Sequence, residues 1–166
     1  FTQAGMTQTV SGRAYMAADT GAAIYGMEQA TGGQWQYALA GNVRSDGVMN
    51  AVALETTLLG QTEYLLVLCR DGDAVTSYAV NPNGSLRHTG TLGTEQGLGI
   101  LDAPTGFEVI QAHGEAYVLV ASATGTSQSG AISVMHMAAD GSLTPTDHVL
   151  DSLNSRFAGT HSVAVV

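Results

Sequence analysis

Asn81-Pro82-Asn83-Gly84-Ser85-Leu86 returns as Ala138-Ala139-Asp140-Gly141-Ser142-Leu143. The likeness extends upstream without a gap, from AVTSYAV (residues 74–80) onto AISVMHM (residues 131–137). A third copy, AIYGMEQATGGQW (residues 23–35), fits the same frame. It sets Gly33 over Gly84 and Gly141, and Trp35 over Leu86 and Leu143. The apolar positions before each turn alternate, as in Val75, Ser77 and Ala79, which is the period of a strand. An Asn-Gly or Asp-Gly pair then tolerates positive φ and closes a tight turn. The apolar residue after the glycine opens the return strand. Each copy therefore reads as a hairpin.

A second hairpin precedes each of these. TQTVSGRAYMAA turns at Gly12, NAVALETTLLGQTEYLLVLC near Gly60, and FEVIQAHGEAYVLVAS at Gly114. Tyr15, Tyr64 and Tyr117 open the second strand of each. The unit is a four-stranded meander recurring at about 50 residues, the spacing of propeller blades. Blades are expected at 5–44, 45–103 and 104–158, within one domain spanning 1–166. HSVAVV (residues 161–166) reads as the first strand of a fourth. TEQGLGILDAPT and SLNSRFAGT join the outer strand of one blade to the inner strand of the next. The alanine-rich stretch 14–30 invites a helix, but its superposition on two clear hairpins argues for strands. The fold class is all-β, a partial propeller.

Composition agrees. Of the 166 residues, 45% are apolar and 11% charged, so the chain can bury a core. The 21 glycines count against helices, since each costs about 1 kcal/mol relative to Ala inside one. All five basic residues are arginines, against fourteen acids, for a net charge of −9. Phosphate binding needs clustered positive charge, so nucleic acid is not an expected partner, nor is an anionic membrane surface. No run approaches the roughly 18 apolar residues of a membrane span. The single cysteine, Cys69, excludes an internal disulfide and reads as a packed thiol in YLLVLCR.

The succession of a tyrosine-led apolar run, then GAISVMHM, then DGSL, then a polar strand resembles the lactonase-type, 6-phosphogluconolactonase-like propellers of seven blades. The best stretch is EAYVLVASATGTSQSGAISVMHMAADGSLTPTDHVL, and blades two and three match better than blade one. The resemblance implies a radial array around a channel. Three blades do not close such a ring, so further blades are expected as partners, from the same protein or from another copy, with homo-oligomer formation as one route. Similar repeats are also at home in large secreted bacterial proteins, so an extracellular location is expected.

Candidate catalytic residues are few. The resemblance implies a histidine that opens an inner strand at the channel, which points to His161 in GTHSVAV as a general base. Glu108 in TGFEVI stands at nearly the corresponding place in blade three, with Asn50 or Met49 there in blade two. Arg156 completes a possible acid-base and oxyanion set. The plainer reading makes His161 a polar strand opener. His88 and His148 fall on outer strands, His136 on a third strand and His113 beside a turn. No histidine pair has zinc-ligand spacing, and Asp71-Gly72-Asp73 lacks the spaced oxygens of a calcium loop, so neither metal nor cofactor is expected. With no convergent reactive set, the leading expectation is a non-enzymatic scaffold or interaction module. A lactonase-type hydrolase and a self-assembling subunit are its rivals.

Overall fold

The computed structural model describes residues 3–18, 23–44, 50–96, 98, 101–123 and 130–152. They form three four-stranded antiparallel sheets, each a meander in chain order. Blade one holds β1 (Gln3–Gln8), β2 (Ala14–Ala18), β3 (Ala23–Gln29) and β4 (Trp35–Arg44). Blade two holds β5 (Ala51–Leu59), β6 (Thr62–Cys69), β7 (Ala74–Val80) and β8 (Leu86–Gly93). Blade three holds β9 (Pro104–Ala112), β10 (Glu115–Ala123), β11 (Gly130–Met137) and β12 (Leu143–Leu150). The only helical element among the described residues is a single 3-10 turn at Thr94–Gln96. The stretch 14–30 contributes two strands. The strand expected at 161–166 lies outside the described residues, as does most of the polar segment 124–130.

The repeated glycines do what the turns require. Gly33, Gly84 and Gly141 sit at φ 84°, 85° and 88°, and Gly12, Gly60 and Gly114 at 83°, 61° and 82°. That left-handed region costs a residue with a Cβ roughly 1–2 kcal/mol. β4, β8 and β12 then open on Trp35, Leu86 and Leu143.

Blade two shows how the sheets stack. Along β6 the residues from Tyr64 to Cys69 are all buried. Leu65, Val67 and Cys69 pack with Tyr15, Ala17 and Ile24 of blade one. Tyr64, Leu66 and Leu68 pack with Phe107, Val118, Val120 and Met135 of blade three. A strand covered on both faces loses the alternation of a one-sided strand and becomes an unbroken apolar run. Each fully buried Leu or Val contributes roughly 1.5–3 kcal/mol. The Cys69 thiol is part of this packing. In blade three only one face of β11 is covered: Ala131, Ser133, Met135 and Met137 are buried, while Ile132, Val134 and His136 are half-exposed.

Hydrogen bonds set the stagger between blades. The Tyr15 phenol donates to Gly84 O at 2.9 Å, and the Tyr64 phenol to Ala139 O at 2.7 Å. Each joins a second-strand tyrosine to the last hairpin turn of the next blade. Burial pushes the Tyr15 phenol up to about 12, so it stays protonated and donating through the neutral range. Tyr64→Phe should cost about 1–2 kcal/mol by leaving the Ala139 carbonyl without this donor, read as a lower midpoint in urea unfolding at unchanged slope.

Candidate functional site

The first strands of the three blades, β1, β5 and β9, lie beside one another, whereas the last strands are farther apart. This convergence marks β1, β5 and β9 as the inner, channel-lining strands. On β5 the residues alternate between neighbours. Thr56 Oγ1 donates to Gln8 O of blade one at 3.0 Å. Thr57 turns to blade three, where Gln111 Nε2 donates to Thr57 Oγ1 at 3.1 Å and to Leu58 O at 2.6 Å. Glu55 shares the face of Thr57.

Strand register assigns the matching positions. Thr57 pairs with Tyr64 as Ile110 pairs with Tyr117, and Glu55 with Leu66 as Glu108 with Leu119. Glu55 and Glu108 are therefore the same position in successive blades, each the fifth residue of its inner strand. In blade one, where Thr7 faces Tyr15, the matching residue is Gly5. Glu108 thus has a partner that the expectation of Asn50 or Met49 missed. Met49 lies outside the described residues. Asn50 precedes β5 and matches Ala103, not Glu108. Both have positive φ, 51° and 49°, and both carbonyls accept a backbone N–H from the end of the second strand, Arg70 N at 3.0 Å and Ala123 N at 3.1 Å. That is a structural role, the sealing of each blade's inner corner.

The two carboxyls meet where β5 and β9 converge. Burial pushes Glu55 from 4.5 up to about 7. The Glu108 charge and a carboxyl–carboxyl hydrogen bond add to the rise, while the Val109 backbone N–H, donating to Glu55, opposes it. Glu55 Oε2 is buried and lacks a partner of good hydrogen-bonding geometry. Raised in this way, Glu55 keeps its proton closer to neutral pH than an exposed carboxyl does, as an acid in a site requires.

The other candidates divide. His161 and Arg156 lie outside the described residues. His88, His113 and His148 are exposed. His136 lies edge-on to Tyr117, ring centres 5.5 Å apart, on the uncovered face of blade three. Asp71-Gly72-Asp73 forms the β6–β7 connection, where Asp73 Oδ1 accepts the Ala103 N–H at 3.1 Å and ties down the approach to β9. Among the described residues no three His, Cys, Asp or Glu side chains gather as metal ligands would. Two open grooves, of about 650 and 360 Å³, border Arg13 at the turn end of blades one and two. Neither reaches Glu55 or Glu108. The Arg13 guanidinium is already donated to Pro82 O, so these grooves bring together no reactive set. Glu55 itself is half-buried on the face of β5 that packs against blade three.

No protein-family profile matches the sequence, and no curated protein matches it. Solved structures do. The periplasmic gluconolactonase PpgL of Pseudomonas aeruginosa is similar over 90% of this chain and 42% of its own, with a TM-score of 0.61 and 20% identity. A putative 6-phosphogluconolactonase from Bacteroides uniformis is similar over 88% and 42%, with a TM-score of 0.60 and 22% identity. A thermostable family-43 glycoside hydrolase is similar over 90% and 53%, with a TM-score of 0.56 and 14% identity. At these identities the likeness is one of fold: an arc of a lactonase-type propeller. The chain spans about two fifths of the length of the two lactonase structures.

Proposed function

We propose that this chain is a three-blade portion of a lactonase-type hydrolase and that Glu55 and Glu108 are its acid-base pair for opening a sugar lactone or related cyclic ester. The observation that carries this is the pair itself: equivalent residues of adjacent inner strands, with burial raising Glu55 to about 7. The solved structures of similar fold include a periplasmic gluconolactonase and a putative 6-phosphogluconolactonase, which favours an ester-opening reaction over other channel chemistry.

The pair suits the reaction. Ionised Glu108 takes a proton from a water as its oxygen bonds to the lactone carbonyl carbon. The carbonyl becomes a tetrahedral oxyanion. As the oxyanion collapses, the ring C–O bond breaks, and protonated Glu55 gives its proton to the departing ring oxygen. The product is a hydroxy acid, which ionises to solvent, and the proton on Glu108 passes back to Glu55 and resets the pair. Arg156 and His161 belong to this proposal as further channel residues, read from sequence: a cation for the oxyanion and a second base. An exported enzyme would fit the periplasmic location named for one of the similar structures.

Hydrolysis of glucono-δ-lactone, followed by acid release, is the test. Glu108→Gln should lower kcat about 100-fold. Activity should fall on the alkaline side as Glu55 deprotonates near 7, and Glu55→Gln should abolish that alkaline limb along with most of the rate. Turnover unaffected by both substitutions contradicts the assignment. A folded protein with no turnover supports the scaffold reading, whose own basis is the regular tyrosine-to-turn bonding between blades.

A further inference from the structure

Each inner strand pairs on one side only and leaves its other backbone edge to the channel. In an antiparallel ladder alternate residues bond to the partner strand, so every second N–H points off the free edge. Val109 shows which ones those are on β9. It lies one residue before Ile110, the partner of Tyr117, and its N–H donates to the Glu55 carboxyl. Thr56 holds the same place on β5. It lies one residue before Thr57, the partner of Tyr64, and pairs with Leu65 as Val109 pairs with Val118. The Thr56 N–H therefore also points off the free edge.

The two amides differ in what receives them. Val109 is met by Glu55, a carboxyl of the preceding blade. The matching residue for Thr56 is Gly5 of blade one, opposite Ala17 as Glu55 is opposite Leu66. Gly5 does lie against β5: a Cβ built on it would stand 3.7 Å from Leu54 Cδ1 and 4.0 Å from Leu54 N. Among the described residues it would meet nothing else within 4 Å. There is no side chain at this place to reach on to Thr56. The Thr56 hydroxyl is turned to Gln8 O, at 3.0 Å, and leaves its own amide uncovered. One joint thus fills the seat at the strand edge with a glutamate, and the joint before it leaves the same seat open.

We propose that the Thr56 N–H receives the carbonyl oxygen of the cyclic ester, and that Gly5 keeps the place open for it. The inference rests on the lactone-opening reading of Glu55 and Glu108 and adds a donor to it. The Glu55 carboxyl on Val109 is the stand-in: it places an sp2 oxygen on the equivalent amide one blade along. A lactone carbonyl at Thr56 accepts the same bond, and the bond strengthens as water adds and the oxygen gains negative charge. The donor belongs to the residue next to Glu55 on the same strand. A neutral carbonyl suits the place better than a free anion, because the two glutamates and a net charge of −9 repel anions.

Glucono-δ-lactam, whose ring amide resists hydrolysis, tests the seat without turnover. In proton–nitrogen NMR spectra of the wild-type chain, the Thr56 amide proton should move downfield as the lactam is added through the millimolar range. The Val109 amide, already bonded to Glu55, should move less. Gly5→Glu supplies a carboxyl at the place matching Glu55 and should raise the Kd for the lactam about tenfold or more. Gly5→Ala adds a side chain at the same φ of 157° without a carboxyl, and should bind within about threefold of wild type. A Thr56 amide unmoved by the lactam in the wild-type chain, or a Gly5→Glu variant that binds as well as Gly5→Ala, overturns the proposal. Turnover of glucono-δ-lactone separates the two claims. A Thr56 shift in a chain that hydrolyses nothing upholds the carbonyl seat and removes the hydrolase reading, whereas hydrolysis with Thr56 unmoved does the reverse.

Discussion

Gly141→Ala is expected to cost about 3 kcal/mol of stability, whereas Gly84→Ala, at the matching place one blade earlier, should cost only about 1 kcal/mol. The backbone penalty is common to both, since φ is 88° at Gly141 and 85° at Gly84. The surroundings differ. A Cβ at Gly141 would lie 2.5 Å from Tyr64 Cε1 and 2.5 Å from Thr89 Oγ1. Neither can retreat easily: the Tyr64 ring is buried and its hydroxyl is held by Ala139 O, and Thr89 Oγ1 bonds Ser77 Oγ at 2.8 Å. Overpacking of that kind typically costs 1–3 kcal/mol. At Gly84 the nearest atom is Arg13 Nη1, also at 2.5 Å, but it ends a long side chain at the surface that can swing away. For a chain of this size the melting temperature should fall by roughly 6–12 °C in the first variant and 2–4 °C in the second. Equal losses would mean that the blade-two and blade-three faces do not meet as described.

The second large effect depends on pH. Glu55 titrates near 4.5 when exposed and is raised to about 7 in the folded chain. A carboxyl with a raised pKa favours the fold while protonated. Its contribution is complete below about 4.5 and is lost as pH climbs through about 7. Glu55→Gln keeps the shape and cannot ionise. At pH 5 it should be close to wild type in stability, and at pH 8.5 it should be more stable by about 1–2 kcal/mol, a value reduced for the partial solvent screening of a half-buried group. Urea unfolding at the two pH values measures the difference. A variant less stable than wild type at pH 8.5 would show that ionised Glu55 is held by a favourable partner. The gain in stability with loss of activity is the pattern expected where a site keeps a strained charge for chemistry.

Much of this architecture could be read along the chain because turns and strand openers are local. Gly33, Gly84 and Gly141 announce their turns by their neighbours alone, and Tyr15, Tyr64 and Tyr117 mark the strands that follow. The continuous apolar run of β6 was legible as a strand, and its burial on both faces follows from having a blade on each side. Glu55 was harder. It lies nine residues before Tyr64, as Glu108 lies nine before Tyr117, and counting back from the tyrosines would have paired them. Counting from the turn glycines hides the match, because four positions separate Gly60 from Tyr64 and three separate Gly114 from Tyr117. Asn50 attracted notice as a strand opener, but β9 opens on Pro104, so Glu108 stands well inside its strand. That two carboxyls would meet was not legible at all. Alternation assigns a side chain to a face, whereas the lateral stagger of one blade against the next is set by contacts distant in sequence, such as Gln111 with Leu58. Those same contacts bury Glu55 and raise its pKa.

The carboxyl carbon of Glu55, followed by NMR from pH 4 to pH 9, reports most directly on whether blades two and three bring their inner-strand glutamates together. The midpoint should lie near 7 and move down when Glu108 is replaced by Gln, while staying above 4.5 because burial is the larger cause. A midpoint at the ordinary 4.5, or one indifferent to Glu108, would contradict the pairing and with it the channel chemistry assigned to this chain.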